Sequence, residues 1–411
     1  MTTTKDAFYA GARRDLPGPL AGVRVLEATT MWAGPLAGCV FADFGADVIK
    51  VEMPGGEVVR RLPPMLPGTD PPIGFLQATV NRNKRSLTLD LRKPEGRDVF
   101  RKLAARADVV IENFRPGVMD RYGLGYADLR AVRPDLVYVS ISGFGQWGPD
   151  ADRAGYDPLA QAASGWLALN GAPDGQAVKA PTFLADDLSG LHAALGALAA
   201  LRHRDQTGEG QHVDVALLDA MLFQSNGYLT LGALGDALPR LGNEFRIAAP
   251  ARVYRCLDGD VLVGVVLDAH WRALCAVLGR PELGDDPRYA QTAGRLAHRA
   301  EVDAILADWV AARPMREIVD TLLAAGLAVA PVRSYADAAV DPHVRARDML
   351  VPVTQEDGSE IPITGPVAKL SRTPVGVRSG APALGQHSDA ILREAGLDDT
   401  AIAALRAKGI V

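Results

Sequence analysis

Apolar and polar positions in the first half of the chain follow two periods in turn. Short apolar runs have the length of strands: Val23-Arg24-Val25-Leu26, Val48-Ile49-Lys50-Val51, Leu87-Thr88-Leu89-Asp90-Leu91, Val109-Val110-Ile111 and Leu136 to Ile141. Between them lie stretches of helical period: Gly34 through Phe41, Pro94 to Ala107, and one that contains Leu129 to Val132. Repeated strand–helix–strand units imply a parallel sheet with helices on its faces. The expected class is α/β, with an open doubly wound, Rossmann-like parallel sheet in this half.

Farther along, His212 to Val215 and Leu217 to Phe223 add a strand and a helix. Residues 230–250, rich in glycine and with two prolines, read as a linker. The pattern then changes. Val253 to Leu257 and Val261 to Val265 flank Asp258-Gly259, a hairpin signal. Helical stretches follow at Trp271 to Leu278, Val302 to Ala311 and Ile318 to Ala325. A smaller α+β domain is expected there. Val329 to Val332 is strand-like again, a second hairpin is centred on Asp357-Gly358, and helices run from Ser388. The expected segments are 1–228, 229–330 and 331–411.

One stretch stands apart, Pro181 to Arg204, where two adjacent acids open a long Ala/Leu helix. Leu191, Leu195, Leu198 and Leu201 mark the apolar stripe expected to be buried. An acid at a helix entrance is first of all a cap, because it accepts the unpaired N–H groups and suits the dipole. The same dipole keeps a carboxylate ionised, and an ionised Asp attacks activated acyl groups. One of the pair, Asp186 or Asp187, can cap while the other reacts.

Composition narrows the field. A chain of 411 residues exceeds one ordinary core. The net charge of −5 argues against a nucleic-acid binder. Three scattered cysteines suit a reducing compartment, and seven histidines without HxxxH or HExxH spacing give no metal site. With no apolar N-terminal core of signal type, the expected location is cytoplasmic. The first strand is followed by Glu27-Ala28-Thr29-Thr30-Met31-Trp32-Ala33-Gly34, not by GxGxxG, which removes the dinucleotide fingerprint. Two basic stretches, Asn81 to Ser86 with Arg92-Lys93, and Asn113 to Gly117 with Arg121, offer charge for an anionic cofactor's phosphates.

Leu20-Ala21-Gly22-Val23-Arg24-Val25-Leu26, Phe44 to Glu52, Asn83 to Ser86, Glu112 to Gly117, Gly208 to Gln211 and Arg240 to Asn243 occur in an order that resembles the class III coenzyme A transferases. That family includes formyl-CoA transferase, carnitine CoA-transferase and alpha-methylacyl-CoA racemase. Asp186 stands four residues before Gly190, as the family nucleophile stands before its helix glycine, which leaves Asp187 as the cap. The resemblance implies CoA transfer from a donor acyl-CoA to a free carboxylic acid, through a mixed anhydride and then an aspartyl-CoA thioester on Asp186. No tightly bound cofactor and no metal are implied; CoA is carried by the substrates. CoA contacts carry over to Ala33, Leu89, Asp90, Leu91, Arg92, Asn113, Phe114, Arg115 and Arg121. Substrate contacts are expected from Trp32, which replaces a glutamine of formyl-CoA transferase, from Tyr156, and from Arg246, which stands where that enzyme has a glycine-rich flap. The resemblance also implies an interlocked homodimer and a C-terminal segment that returns to the large domain. Racemase-like proton transfer is the alternative activity, but Gly155-Tyr156-Asp157 carries Tyr where the racemases carry His, and an ordinary Tyr is a poor base near neutrality.

Overall fold

The computed structural model describes residues 3–67, 72–355 and 357–411. Six strands form one parallel sheet in the order β3-β2-β1-β4-β5-β6. They are β1 (Arg24–Ala28), β2 (Asp47–Glu52), β3 (Arg85–Thr88), β4 (Val109–Glu112), β5 (Val137–Ser142) and β6 (His212–Ala216). The order reverses between β1 and β4, which opens a crevice beyond their carboxyl ends. Every residue of β4 and β5 is buried, as a sheet covered on both faces requires, and this is why their sequences are continuous apolar runs. The β3 expected through Leu91 stops at Thr88. Leu89 N–H still bonds Glu52 O at 2.7 Å, but Asp90 N–H turns to Ile410 O at 2.8 Å, so the chain leaves the sheet.

That last bond belongs to the returning C-terminal segment. Thr88 N–H donates to Ser388 Oγ at 3.2 Å, and Ile391, Leu392, Ile402 and Ile410 complete a core with Leu87, Leu89 and Phe100. The opposite face of the sheet carries the helices Ala33–Asp43 and Leu184–Thr207.

The long helix buries only the later part of its leucine stripe, where Leu201 is buried and Leu198 packs on the core, and otherwise buries its small residues. Leu191 and Leu195 are 52% and 62% exposed, whereas Ala185, Ser189, Gly190, Ala193, Ala194, Ala197 and Ala200 are buried. Small side chains let the two helices approach closely. A Cβ on Gly190 would lie 2.7 Å from Ala33 O, so only glycine fits that crossing.

The chain divides into two compact units. The first comprises Met1–Trp166, Lys179–Thr230 and Pro342–Val411; the second comprises Leu167–Val178 and Leu231–Asp341. The second unit holds a three-stranded antiparallel sheet of Ala251–Arg255, Asp260–Gly264 and Ala328–Pro331. The helices Asp268–Val277, Arg299–Ala311 and Met315–Ala324 pack on it around Trp271, Leu306 and Ile318. Residues 331–341 stay with this unit because Ala328–Pro331 pairs with its central strand.

The basic stretch before β3 is structural. Arg82 forms a two-bond pair with Asp43 (2.6 and 3.1 Å), Arg85 pairs with Asp47 at 2.6 Å, and Lys84 pairs with Glu27 at 2.8 Å with both side chains fully buried. These groups lead into the amino end of a strand, away from the crevice at the carboxyl ends, and their charge is already matched.

Candidate active site

A cavity of about 480 Å³ opens at the carboxyl ends of β1, β4 and β5, within the first unit. Its walls include Trp32, Ala33, Asn113, Arg115, Arg153, Tyr156 and Asp186. A second cavity, of about 400 Å³, shares Thr30, Met31 and Phe114 with it and is lined further by Leu89, Leu91, Arg92 and Tyr122.

The loop from Thr29 to Trp32 separates the two cavities and is held from below. Asn113 clamps Thr30 with two bonds, accepting its N–H at 2.8 Å and donating to its carbonyl at 2.7 Å. Met31 adopts φ 63°, a costly left-handed geometry for this side chain, and its N–H donates to Glu57 Oε2 at 3.0 Å. The buried Lys50 ties Glu57 (2.7 Å) to Thr29 O (3.1 Å). The loop is therefore held by the Asn113 amide and by the buried Lys50–Glu57 ion pair.

Asp186 and Asp187 sit in the first turn of the long helix, and they part company there. Asp187 accepts the Trp32 indole N–H at 2.6 Å. The helix entrance is capped by neither acid of the pair. Asp157, at the start of the helix Asp157–Ala163, accepts Ala185 N–H at 2.7 Å. Its other oxygen accepts Gln161 Nε2 at 2.6 Å, and Gln161 Oε1 accepts Ala180 N–H at 2.9 Å. One turn of a neighbouring helix thus grips both ends of the segment that leads into Asp186.

The Asp157 turn is itself located by a backbone crossing. A Cβ on Gly143 would lie 2.3 Å from Gly155 Cα, and one on Gly155 would lie 2.2 Å from Gly143 Cα. Two glycines at one crossing let the 153–157 segment lie against the end of β5.

Asp186 is pushed up to about 7, first by burial and then by the charges of Asp157 and Asp187. The helix dipole, expected to keep it ionised, does not outweigh those three effects. At neutral pH the group is poised between acid and carboxylate, and a poorly solvated carboxylate is the more reactive for it.

The other residues expected at the site lie in different places. Ala33 is buried in the wall, and Leu89 and Leu91 line the second cavity. Asp90 holds Arg92 through two bonds at 2.9 Å, leaving the guanidinium's outer edge to solvent. Arg115 and Arg121 are exposed, and neither guanidinium has a hydrogen bond or ion pair among the described residues. Tyr156 is 58% exposed at the cavity rim. Arg246 belongs to the second unit, where it pairs with Asp236 at 2.8 Å.

Sequence reasoning missed Arg153, which lines the Asp186 cavity with its guanidinium 5.0 Å over the Phe144 ring. It also missed the clamp formed by Asp157 and Gln161, and Glu112, whose carboxylate accepts Phe114 N–H at 2.9 Å. The four-residue spacing of Asp157 and Gln161 on a helix is the one signal of that clamp that the sequence carries.

With this geometry in view, comparison with known proteins gives the class. The chain matches the model of CoA-transferase family III over residues 20–388 and belongs to that family. It is 40% identical over 392 residues to the succinate–glutarate CoA-transferase of Agrobacterium fabrum, covering 92% of this chain and 97% of that one. It is 38% identical over 402 residues to the succinyl-CoA–L-malate CoA-transferase beta subunit of Chloroflexus aurantiacus, covering 96% and 98%. Among solved structures, a CAIB/BAIF family protein from Brucella suis superposes with a TM-score of 0.82 at 36% identity, covering 92% of this chain and 100% of the other. The protein is a CoA-transferase acting on CoA thioesters.

Proposed function

We propose that this enzyme moves coenzyme A between short dicarboxylic acids, through covalent intermediates on Asp186. The observation that carries the reading is Asp186 itself, a carboxyl poised near neutrality in the wall of a cavity that also holds Arg115 and Arg153.

In this reading the nucleotide end of acyl-CoA occupies the cavity of Leu89, Leu91 and Arg92, with Arg121 nearby in sequence to its lining residue Tyr122. The thioester passes Asn113 and Phe114 to reach Asp186. The Asp186 carboxylate attacks the thioester carbonyl, the C–S bond breaks, and a mixed anhydride and CoA thiolate result. The thiolate then attacks the Asp186 carbonyl and expels the donor acid as a carboxylate, leaving an aspartyl-CoA thioester. An incoming carboxylate reverses both steps with a new acyl group. No electron or proton is left over, so the steps balance with the two acids and one thiol.

The helix Ala33–Asp43 supplies a donor for the tetrahedral oxyanion. Its first bond is Leu36 N–H to Trp32 O at 2.8 Å, so Ala33 N–H has no helical acceptor at the cavity wall. Trp32, oriented by Asp187, forms an aromatic wall for the acyl chain, and Tyr156 closes the rim. Arg153, which pairs with Asp150 at 2.9 Å through Nη1, turns its remaining donors to the distal carboxylate of a dicarboxylic acyl group, which would otherwise be a charge without a partner inside the cavity. The named relatives support this choice, since those proteins act on succinate, glutarate or malate. Arg246 is assigned to the acceptor acid by its place in the sequence.

Exposed Leu191, Leu195 and Phe223 support burial against a second copy of the chain, and we read the enzyme as a homodimer. Three free, buried cysteines suit a reducing compartment, and we place the enzyme in the cytoplasm. Racemase-like chemistry is disfavoured because Tyr156, the group at the racemase histidine's place, is exposed at the rim.

Initial-rate kinetics with succinyl-CoA and a series of free acids test the reading. Parallel double-reciprocal lines with dicarboxylates are expected. Exchange of the alpha proton with deuterated water, with no CoA transfer, would overturn the reading in favour of racemisation.

A further inference from the structure

Among the described residues, the Asp157 carboxylate accepts hydrogen bonds from Ala185 N–H and the Gln161 amide. Burial raises the proton affinity of Asp157, while these donors and Lys179 favour its charged form next to the side chain that must react. Asp187 adds a second negative charge from the next position on the same helix, partly offset by the Trp32 indole N–H. Arg115 and Arg153 on the cavity wall and Lys179 toward Asp157 are the cations of this neighbourhood.

We propose that Asp157 is a positioning residue whose fixed charge also drives Asp186 out of the free carboxylate state and into the covalent enzyme. The inference rests on Asp186 being the nucleophile. Free Asp186 carries a negative charge that faces Asp157 and Asp187. When Asp186 forms the anhydride, that charge leaves on the CoA thiolate. When the thiolate returns to give the aspartyl-CoA thioester, the charge departs on the released carboxylate and reaches solvent. Repulsion is therefore present in the free enzyme and absent in both covalent states, and an interaction of that kind favours acylation. The raised proton affinity of Asp186 has the same origin, since protonation is another way to lose the charge. The backbone bond from Ala185 N–H ties the Asp157 carboxylate to the turn that carries Asp186.

The experiment uses the full-length enzyme at about pH 8, where Asp186 is ionised. It is mixed with succinyl-CoA and succinate at fixed ratios, quenched in acid, and weighed intact to read the fraction carrying CoA. Asp157→Asn keeps a carbonyl oxygen for Ala185 N–H but removes the charge. The variant is expected to need about a tenfold higher succinyl-CoA to succinate ratio for half-loading, the equivalent of one pKa unit of lost repulsion. Asp187→Asn, which leaves the Ala185 clamp in place, is expected to shift the ratio in the same direction by less. It provides the reading if Asp157→Asn fails to fold. An adduct in wild type with an unchanged half-loading ratio in the variants would overturn the inference and leave the nucleophile standing. No adduct in wild type with any donor would overturn both.

Discussion

Trp32 donates its indole N–H to Asp187 at 2.6 Å, and this one bond separates the work of two adjacent acids. Asp187 is committed to holding a wall of the cavity, while Asp186 has no hydrogen bond to its carboxyl among the described residues and faces the space beside it. Trp32→Phe removes the donor and keeps the ring. A fall in kcat of about tenfold, with the melting temperature within a few degrees, is expected from loosening of the wall. Steady-state kinetics and a thermal melt check it.

Adduct formation in single turnover is expected to rise with pH and level off above a midpoint near 7, because only ionised Asp186 attacks. Glu112 is also pushed up to about 7 by burial but does not line the cavity. Glu112→Gln should therefore keep the midpoint. A midpoint near 4 would show that Asp186 is not held in this environment.

The same shift predicts a stability effect of definite sign. Asp186 binds its proton more tightly folded (about 7) than in its ordinary state (3.8), so stability falls as pH rises between those values and is flat above. Asp186→Asn removes the penalty. It should stabilise the enzyme by about 1–3 kcal/mol at pH 8 and by little below about pH 4, while abolishing transfer. Denaturant melts at the two pH values measure it.

Gly190→Ala places a methyl 2.7 Å from Ala33 O, where the two helices cross four residues beyond Asp186. The helices must separate by a few tenths of an ångström or more. A loss of about 1–3 kcal/mol in stability and a drop of about ten- to a hundredfold in kcat are expected. A denaturant melt and steady-state rates read the two effects separately.

Arg153→Gln tests the acyl pocket. The KM for succinate as acceptor is expected to rise about tenfold or more, with a monocarboxylate such as butyrate little affected. Equal effects on both acids would remove Arg153 from substrate recognition.

Much of the fold is written in the periodicity. A strand buried on both faces must be apolar at every position, and β4 and β5 announce themselves that way. The long helix misled because burial there is decided by how closely backbones approach. Gly190 meets the neighbouring helix at Ala33, and Ala193 and Ala197 are buried, while Leu191 and Leu195 are exposed and only Leu198 and Leu201 of the stripe reach the core. At the site, Asp186 and Asn113, each singled out within one short motif, line the same cavity. Asp157 is 29 residues from Asp186, and its bond to Ala185 N–H forms where Gly143 and Gly155 let the chain cross. Arg82 and Lys84 looked available because their acids, Asp43 and Glu27, are 39 and 57 residues away.

The central claim is covalent chemistry at Asp186, and intact mass after mixing with succinyl-CoA tests it most directly. The wild type is expected to gain a CoA-sized adduct that maps to the peptide containing Asp186 and disappears when a dicarboxylic acid is added; Asp186→Asn should gain nothing. An adduct that persists in Asp186→Asn, or that maps to another peptide, would contradict the account.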